Sequence, residues 1–229
     1  MRQACLELDG ARQRIAARHS SETPEHYTPP EIVEPARRVL GRIDLDPASC
    51  ALANGVVQAE RTFAIEDDGL SVPWTGRAFL NPPGGKDGNE SLQKRWWYYL
   101  AAEWASGRVF SAIYVAFSVE FLQVAQVDAP PGLPSPHMFP RCYPASRVQY
   151  LREEVVEDPL FKSASVRLVR GKSPPHASTI IYLPPVGADA LPGLRRFAAE
   201  FGPIGALAGP LFPESLAASG ARERDRRQR

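Results

Sequence analysis

The run 109–117, with the sequence VFSAIYVAF, limits the fold of this chain more than any other feature. It is apolar at almost every position and lacks the alternation that marks a strand with one face in water. Such a run is typical of a parallel strand that is buried on both faces of an α/β sheet. It is also too short to cross a bilayer, which requires about 20 apolar residues. We therefore expect this strand near the centre of a sheet that helices cover.

Helical and strand-like patterns alternate through the first half of the chain. Apolar residues recur on one helical face between positions 32 and 40, and Gly41 is placed to end that helix. The segments predicted in this half are helices over 29–40, 91–106 and 118–126, and strands at 42–45 and 77–80.

The second half is richer in strand patterns. Three β-rich segments follow a proline-rich stretch, and their spacing predicts hairpins. These segments are 147–151, 164–169 and 178–183, and a helix is predicted after them over 191–201. The whole pattern predicts the α/β fold class, with a doubly wound, mostly parallel sheet that has an antiparallel edge.

The two ends of the 229-residue chain do not share this pattern. We interpret 1–23 as a flexible N-terminal segment, 24–213 as a single domain and 214–229 as a basic flexible tail. The first ten residues, MRQACLELDG, contain acids where a signal peptide requires an apolar stretch, so no export is predicted. Three widely spaced cysteines exclude a disulfide scaffold and a zinc ribbon and fit a reducing cytosol.

The start of the first predicted helix matches a capping box. Thr28 is expected to cap the helix, Pro29 to take its first position and Glu31 to reach back to the cap. A helix start here would offer unpaired N–H groups to a ligand.

A strand that runs directly into Asn81-Pro82-Pro83 is the most informative motif for function. Asn81 and Pro82 each precede a proline, which favours extended backbone, and the proline rings fix φ. This stiff turn lies at the carboxyl end of a strand, the edge at which open α/β sheets bind ligands. The Asn81 side-chain oxygen and a nearby carbonyl would form two acceptors that suit the two N–H donors of an exocyclic amino group. With both protons held, the lone pair of that nitrogen is able to attack an electrophilic methyl group.

Asn81-Pro82-Pro83 resembles the (D/N/S)PP(Y/F/W) motif of amino-methyltransferases that use S-adenosylmethionine. The wider pattern resembles the phage-type DNA N6-adenine methyltransferase family, a Dam-like group, in the order and spacing of its elements. The matching residues are Tyr27-Thr28-Pro29, Asp44-Leu45-Asp46-Pro47-Ala48, Asn54, Glu66-Asp67-Asp68-Gly69-Leu70, Trp74 and Asn81-Pro82-Pro83. The match spans 26–117 and continues loosely through 141–151 and 171–183. It implies a Rossmann-like, S-adenosylmethionine-dependent methyltransferase domain.

The resemblance implies a cofactor site for S-adenosylmethionine. Asp46-Pro47 takes the position of the family's motif around the methionine part of the cofactor, where a carboxylate holds the ammonium group. Asp44 is the alternative carboxylate, and the sequence does not choose between the two. Tyr27-Thr28-Pro29 would line the same pocket, and Asp68 would bind the amino group of the cofactor's adenine.

The resemblance also implies that Asn81, Pro82 and Pro83 form the catalytic motif and hold the target N6. The fourth motif position is Gly84, where most relatives have an aromatic ring that stacks on the target base. Gly84 and Lys86 instead predict a flexible substrate-binding loop that is able to contact a phosphate. Rings in 96–99 (WWYY) are candidates to replace the absent one, although core packing is the better interpretation for at least two of them.

The expected activity is therefore the methylation of adenine N6 in DNA, by an enzyme of the cytoplasm, or of the host cytoplasm if a phage encodes it. No metal and no membrane are expected to take part. The alternatives are an inactive DNA-binding module of the same fold and an amino-methyltransferase that acts on RNA or protein. The recognition sequence, the strandedness of the substrate and the oligomeric state are left open. The basic candidates for DNA contact are Lys86, Lys94, Arg95, Arg141, Arg147, Arg167, Arg170, Lys172 and the arginines of the tail.

Overall fold

A seven-stranded sheet forms the centre of the structure, a computed structural model that describes residues 26–127, 129–158, 163–171, 176–186 and 190–209. The predicted segments 1–23 and 214–229, and both ends of the predicted 24–213 domain, lie outside the described residues. In chain order the strands are β1 (Leu45–Asp46), β2 (Arg61–Thr62), β3 (Gly76–Leu80), β4 (Lys86–Asp87), β5 (Glu90–Ser91), β6 (Val109–Ala116), β7 (Arg141–Pro144), β8 (Leu151–Asp158), β9 (Ser163–Arg170), β10 (Thr179–Leu183) and β11 (Gly205–Ala208).

The strand order of the sheet is β11-β7-β10-β6-β3-β1-β2. The four strands β6, β3, β1 and β2 pair in parallel, while β10 is antiparallel to both of its neighbours and β11 is antiparallel to β7. The predicted α/β class with a mostly parallel sheet is confirmed at this level. The antiparallel part is not only an edge, because β10 lies inside the sheet between β6 and β7, which run in the same direction.

Helices cover both faces of this sheet. They are α1 (Pro30–Leu40), α2 (Ala51–Val57), α3 (Leu92–Ala105), α4 (Phe121–Val124) and α5 (Ala190–Phe201), with short 3-10 turns at Ile65–Asp67 and Pro136–Met138. The residues of β6 alternate between the two cores. Ile113 and Val115 pack with α1 and α5, whereas Tyr114 packs with α3 and α4. Burial on both faces explains why the whole strand is apolar.

The topology places a crevice between β1 and β3. From β1 the chain moves outward to β2, then returns to form β3 on the other side of β1 and continues to β6. In open α/β sheets, ligands bind outside the carboxyl ends of the strands where the strand order reverses in this way. A ligand is therefore expected at the ends of β1 and β3, which we call the ligand-binding edge.

A hairpin is inserted between β7 and β10 at the same carboxyl edge of the sheet. Because β7 runs in the direction of β6 and β10 runs against it, the segment between these two strands leaves and re-enters the sheet at the carboxyl edge. This segment contains the two-stranded β8–β9 hairpin. An isolated bridge between Tyr27 and Leu151 joins the base of the hairpin to the segment before α1.

The capping prediction for α1 is wrong. The helix begins at Pro30, its N-cap is Pro29, and no side chain caps it. Glu31 instead forms an ion pair with Arg170 of the hairpin. The apolar face and the end at Gly41, whose φ is 83°, are as predicted.

Other differences are local. The segment 147–150 is not a strand, since β8 begins only at Leu151, and the helix predicted over 118–126 is limited to Phe121–Val124. The predicted strand 42–45 lies slightly later, as Leu45–Asp46. The elements that the sequence pattern did not predict are α2, β2, the β4–β5 hairpin, β7 and β11.

In the part of the chain that the structure describes, the helices are too short or too polar to cross a membrane.

Candidate functional site

Asn81 lies directly beyond the end of β3 and is oriented by a contact with the segment before α1. Its Nδ2 donates a hydrogen bond to the backbone carbonyl of His26 at 2.6 Å. Because a carbonyl only accepts, the amide atom that faces it must be the nitrogen, which leaves Oδ1 as an acceptor. Among the described residues, none donates a hydrogen bond to Oδ1 or to the carbonyl of Pro82. The motif therefore presents two neighbouring acceptors at the ligand-binding edge.

The turn after Asn81 is open on one side. Pro82 is buried and Pro83 is exposed. A Cβ built at Gly84 would meet no atom within 4 Å, so a side chain at this position would start in open space. Gly85, with φ 90°, begins the tight β4–β5 hairpin, which holds Lys86 exposed next to the motif.

Asp46, the last residue of β1, is a buried carboxylate at the same edge. It is 3% exposed, and its Oδ1 accepts a hydrogen bond from the backbone N–H of Ala48 at 3.3 Å. Burial raises the pKa of Asp46 to about 7. No ion pair within the described ranges involves Asp46. A buried carboxylate without a cation is costly, and a cationic ligand would remove that cost.

The structure separates Asp44 from Asp46. Asp44 accepts hydrogen bonds from the Arg42 side chain at 2.5 Å and from the backbone N–H of Arg77 at 2.8 Å. These contacts lie at the start of β1, beside the first residues of β3. Asp44 thus joins two strands and is already paired with arginine. Of the two carboxylates that the sequence left as alternatives, only Asp46 lies at the ligand-binding edge.

Asp68 is held close to the turn that follows Asp46. Its neighbour Gly69 packs so tightly on Pro47 that a Cβ there would fall 2.2 Å from the Pro47 carbonyl oxygen. The Trp74 indole fixes this loop by donating to the Gly69 carbonyl at 2.7 Å. Asp68 itself is exposed in a left-handed conformation, with φ 45°. The sequence-predicted residues Asp46, Pro47 and Asp68 are therefore brought together.

Tyr27-Thr28-Pro29 reaches the same edge through the β8–β9 hairpin. The backbone of Tyr27 exchanges hydrogen bonds with Leu151 at 2.9 and 2.7 Å, and its hydroxyl donates to Glu153 at 2.6 Å. Thr28 is 4% exposed, and its hydroxyl has no hydrogen-bond partner among the described residues. Pro29 is buried and accepts the first hydrogen bonds of α1. An unpaired buried hydroxyl is costly, so Thr28 is a candidate ligand contact.

An aromatic cluster beside Asn81 was not predicted. The His26 ring stacks on Phe117, the residue after β6, with ring centroids 4.9 Å apart and planes 10° apart. Tyr150 packs at a tilt against both rings, and His176 meets Phe117 edge-on. His26 is otherwise exposed, and desolvation against these rings lowers its pKa, which keeps the imidazole neutral at pH 7. The available sequence signals were the position of His26 directly before the Tyr27 motif and that of Phe117 at a strand end.

The aromatic residues 96–99 do not replace the ring absent at Gly84. Trp96, Trp97 and Tyr98 are buried in the core between α3 and the sheet. Tyr99 packs against Trp74 and donates to the Val72 carbonyl at 2.8 Å. The better interpretation from sequence, core packing, extends to all four positions.

Several of the basic candidates for DNA contact have partners among the described residues. Arg170 pairs with Glu31, and Arg167 pairs with Glu154. Arg141 is 9% exposed and donates to the carbonyls of Pro136, His137 and Phe139, which gives this arginine a structural role. Arg95 pairs with Asp87 and Glu90 and closes the β4–β5 hairpin.

Within the described ranges, no group of three or more His, Cys, Asp or Glu side chains could hold a metal ion.

The chain matches no family model, no curated protein and no solved structure.

Proposed function

We propose that this protein transfers a methyl group from S-adenosylmethionine to N6 of adenine in DNA. The observation that carries the proposal is the orientation of Asn81. Its amide nitrogen is engaged by the His26 carbonyl, so Oδ1 is left as an acceptor, and neither it nor the Pro82 carbonyl accepts a hydrogen bond from a described residue. Two adjacent acceptors suit an exocyclic amino group, and this is the chemistry that the resemblance of the motif implies.

The residues at the end of β1 fit the cofactor. S-adenosylmethionine, when bound, supplies an electrophilic methyl group on a sulfonium sulfur and leaves as S-adenosylhomocysteine. Its ammonium group suits the buried Asp46 carboxylate, which has no cation of its own among the described residues. The Thr28 hydroxyl is a further polar contact that needs a partner, and the exposed Asp68 carboxylate suits an amino group on the cofactor's adenine.

The protein's part in the reaction is positioning. The target adenine must leave the base stack to reach Asn81, at a cost of a few kcal/mol. Asn81 Oδ1 and the Pro82 carbonyl then accept hydrogen bonds from the two N6–H groups and fix the direction of the nitrogen lone pair. The N6–CH3 bond forms as the S–CH3 bond breaks, and one N6 proton, made acidic by methylation, leaves to water. Stiff backbone at Pro82 and Pro83 keeps these acceptors in place before the substrate arrives. Catalysis on this scheme depends on orientation and on fixed dipoles.

The proposal is tested by incubating the purified protein with tritium-labelled S-adenosylmethionine and DNA of mixed sequence. We expect label in N6-methyladenine with the wild-type protein and none with Asn81→Ala. Asn89→Ala is the matched control, because Asn89 is exposed in the turn between β4 and β5, outside the site. Parallel reactions with RNA and with protein distinguish the amino-methyltransferase alternative. No transfer to adenine by the wild-type protein would overturn the proposal.

A second candidate function rests on Gly84. The absence of a ring at this position favours a DNA-binding module of the same fold that has no activity. Cofactor affinity separates the two candidates, because such a module has no need to bind S-adenosylmethionine. Calorimetric titration of the wild-type protein with the cofactor decides between them.

A further inference from the structure

His26 offers an exposed aromatic face beside the acceptors of Asn81. We propose that the target base stacks on His26, which Phe117 supports from behind, and that His26 thereby replaces the ring absent at Gly84. This inference rests on the proposed function and names the residue that would bind the planar face of the substrate.

The backbone of His26 is held by the contact that orients Asn81. The His26 carbonyl accepts the Asn81 amide at 2.6 Å, so the imidazole belongs to the residue that touches the base-holding side chain. A planar ring whose amino group is held at Asn81 Oδ1 would therefore lie within reach of the imidazole. A Cβ at Gly84 would meet no atom within 4 Å, so the motif itself leaves open space where its relatives carry a ring.

The imidazole is fixed before any substrate binds. It lies nearly parallel to Phe117, 4.9 Å away, and Tyr150 packs against both rings. The next residue, Tyr27, is anchored through two backbone hydrogen bonds to Leu151. A ring held in this way loses little conformational entropy when a base stacks on it. Its neutral state suits stacking, which every base offers through its π-face.

The other aromatic residues near this edge do not offer the same surface. Tyr150 is 2% exposed, and Phe117 is covered by His26 on one face. His176 is exposed, but it meets Phe117 edge-on and its Nδ1 lies 3.8 Å from the Glu120 carboxylate. His176 is therefore a matched control, since its imidazole also contacts Phe117 but meets that ring edge-on and not face to face.

The first test is steady-state methyl transfer to mixed-sequence DNA. Loss of one base–aromatic stack is expected to lower kcat/KM of His26→Ala by about 5- to 150-fold. His26→Trp keeps a ring and should keep the activity, and adding Gly84→Tyr to His26→Ala should restore much of the loss. Cofactor affinity should be unchanged in all these variants, and His176→Ala should behave as wild type. If His26→Ala retains wild-type kcat/KM, or if neither added ring restores a loss, the inference is overturned.

The second test does not require methyl transfer. The probe is a short single-stranded oligonucleotide with a central 2-aminopurine, whose fluorescence is quenched when the base stacks on an aromatic ring. We expect quenching with wild type, His26→Trp and His176→Ala, and little with His26→Ala. If the wild-type protein is inactive but quenching depends on His26, the proposed function fails and the stacking surface stands. Quenching that is the same with and without the imidazole would overturn the stacking surface, whatever the activity.

Discussion

The Asn81 side chain is joined to the His26 backbone by a hydrogen bond of 2.6 Å that spans 55 residues of sequence. The contact uses a main-chain atom of His26, so it survives substitution of the imidazole. It also ties the segment before α1 to the end of β3. The two proposed roles, holding an amino group at Asn81 and stacking a base on His26, are therefore separable by mutation.

Asn81→Ala should abolish methyl transfer with little loss of stability. The substitution removes one hydrogen bond at a partly exposed position, so we expect the free energy of unfolding to fall by about 1 kcal/mol. Urea denaturation of the wild type, Asn81→Ala and the control Asn89→Ala measures this directly. A much larger fall would mean that the loss of activity reports damage to the fold.

Asp46→Asn should make the protein more stable and the cofactor site weaker. Burial raises the pKa of Asp46 from 3.8 to about 7, so the folded state holds a proton that the unfolded state has released. The stability contributed by Asp46 is thus fully present below pH 3.8 and is lost as the pH rises to about 7. Asparagine resembles the protonated acid. The free energy of unfolding of the variant should exceed that of the wild type by an amount that grows across this window. The difference should reach a few kcal/mol at neutral pH and stay constant above it.

Thermal unfolding of Asp46→Asn and wild type over a pH series checks this prediction, with calorimetric titration of the cofactor beside it. We expect the variant to bind S-adenosylmethionine much more weakly, because the ammonium group would lose its charged partner. Equal stability of the two proteins across the pH window would show that burial does not raise the pKa of Asp46. Undiminished affinity of the variant would place the ammonium group elsewhere.

The central elements were predictable because their signals are local. The run 109–117 shows its place in the fold by its own composition, because a strand buried on both faces, as β6 is, is apolar throughout. β7 and β11 gave no such signal. Their pairing, with Cys142 opposite Leu207, depends on residues distant in the chain and on the antiparallel β10 beside them. A short strand with a proline at its end does not show the alternation from which strands are predicted.

The candidate site likewise contains residues that the sequence predicted and residues that only the structure identifies. Asn81 and Asp46 were predicted as site residues because each follows a strand-like segment in a motif with a chemical rationale. The choice between Asp44 and Asp46 required the contacts of Arg42 and Arg77, which spacing along the chain does not reveal. His26 was not singled out, because the role proposed for it depends on Phe117 and Asn81, which only the fold brings to it.

Thr28→Val should stabilise the protein in the absence of cofactor. The Thr28 hydroxyl is buried without a partner among the described residues, and valine has nearly the same shape without that polar atom. We expect the free energy of unfolding to rise by about 1 kcal/mol. The rise in melting temperature that S-adenosylmethionine causes should become smaller, because a polar contact to the cofactor is lost. A stabilised variant with an undiminished cofactor effect would show that the hydroxyl does not contact the ligand.

Gly84 and Gly85 are adjacent, yet their replacement by alanine should have opposite effects. A Cβ at Gly84 meets no atom within 4 Å, and its φ is not in the left-handed region. Alanine there should be neutral or should stabilise by up to about 1 kcal/mol, since it restricts the unfolded chain. Gly85 has φ 90°, so Gly85→Ala should destabilise by about 1 kcal/mol or more. Thermal unfolding of the two variants is the measurement, and each serves as the control for the other. If Gly84→Ala were the more damaging of the two, the space beside the motif would not exist, and a ring introduced at this position could not substitute for His26.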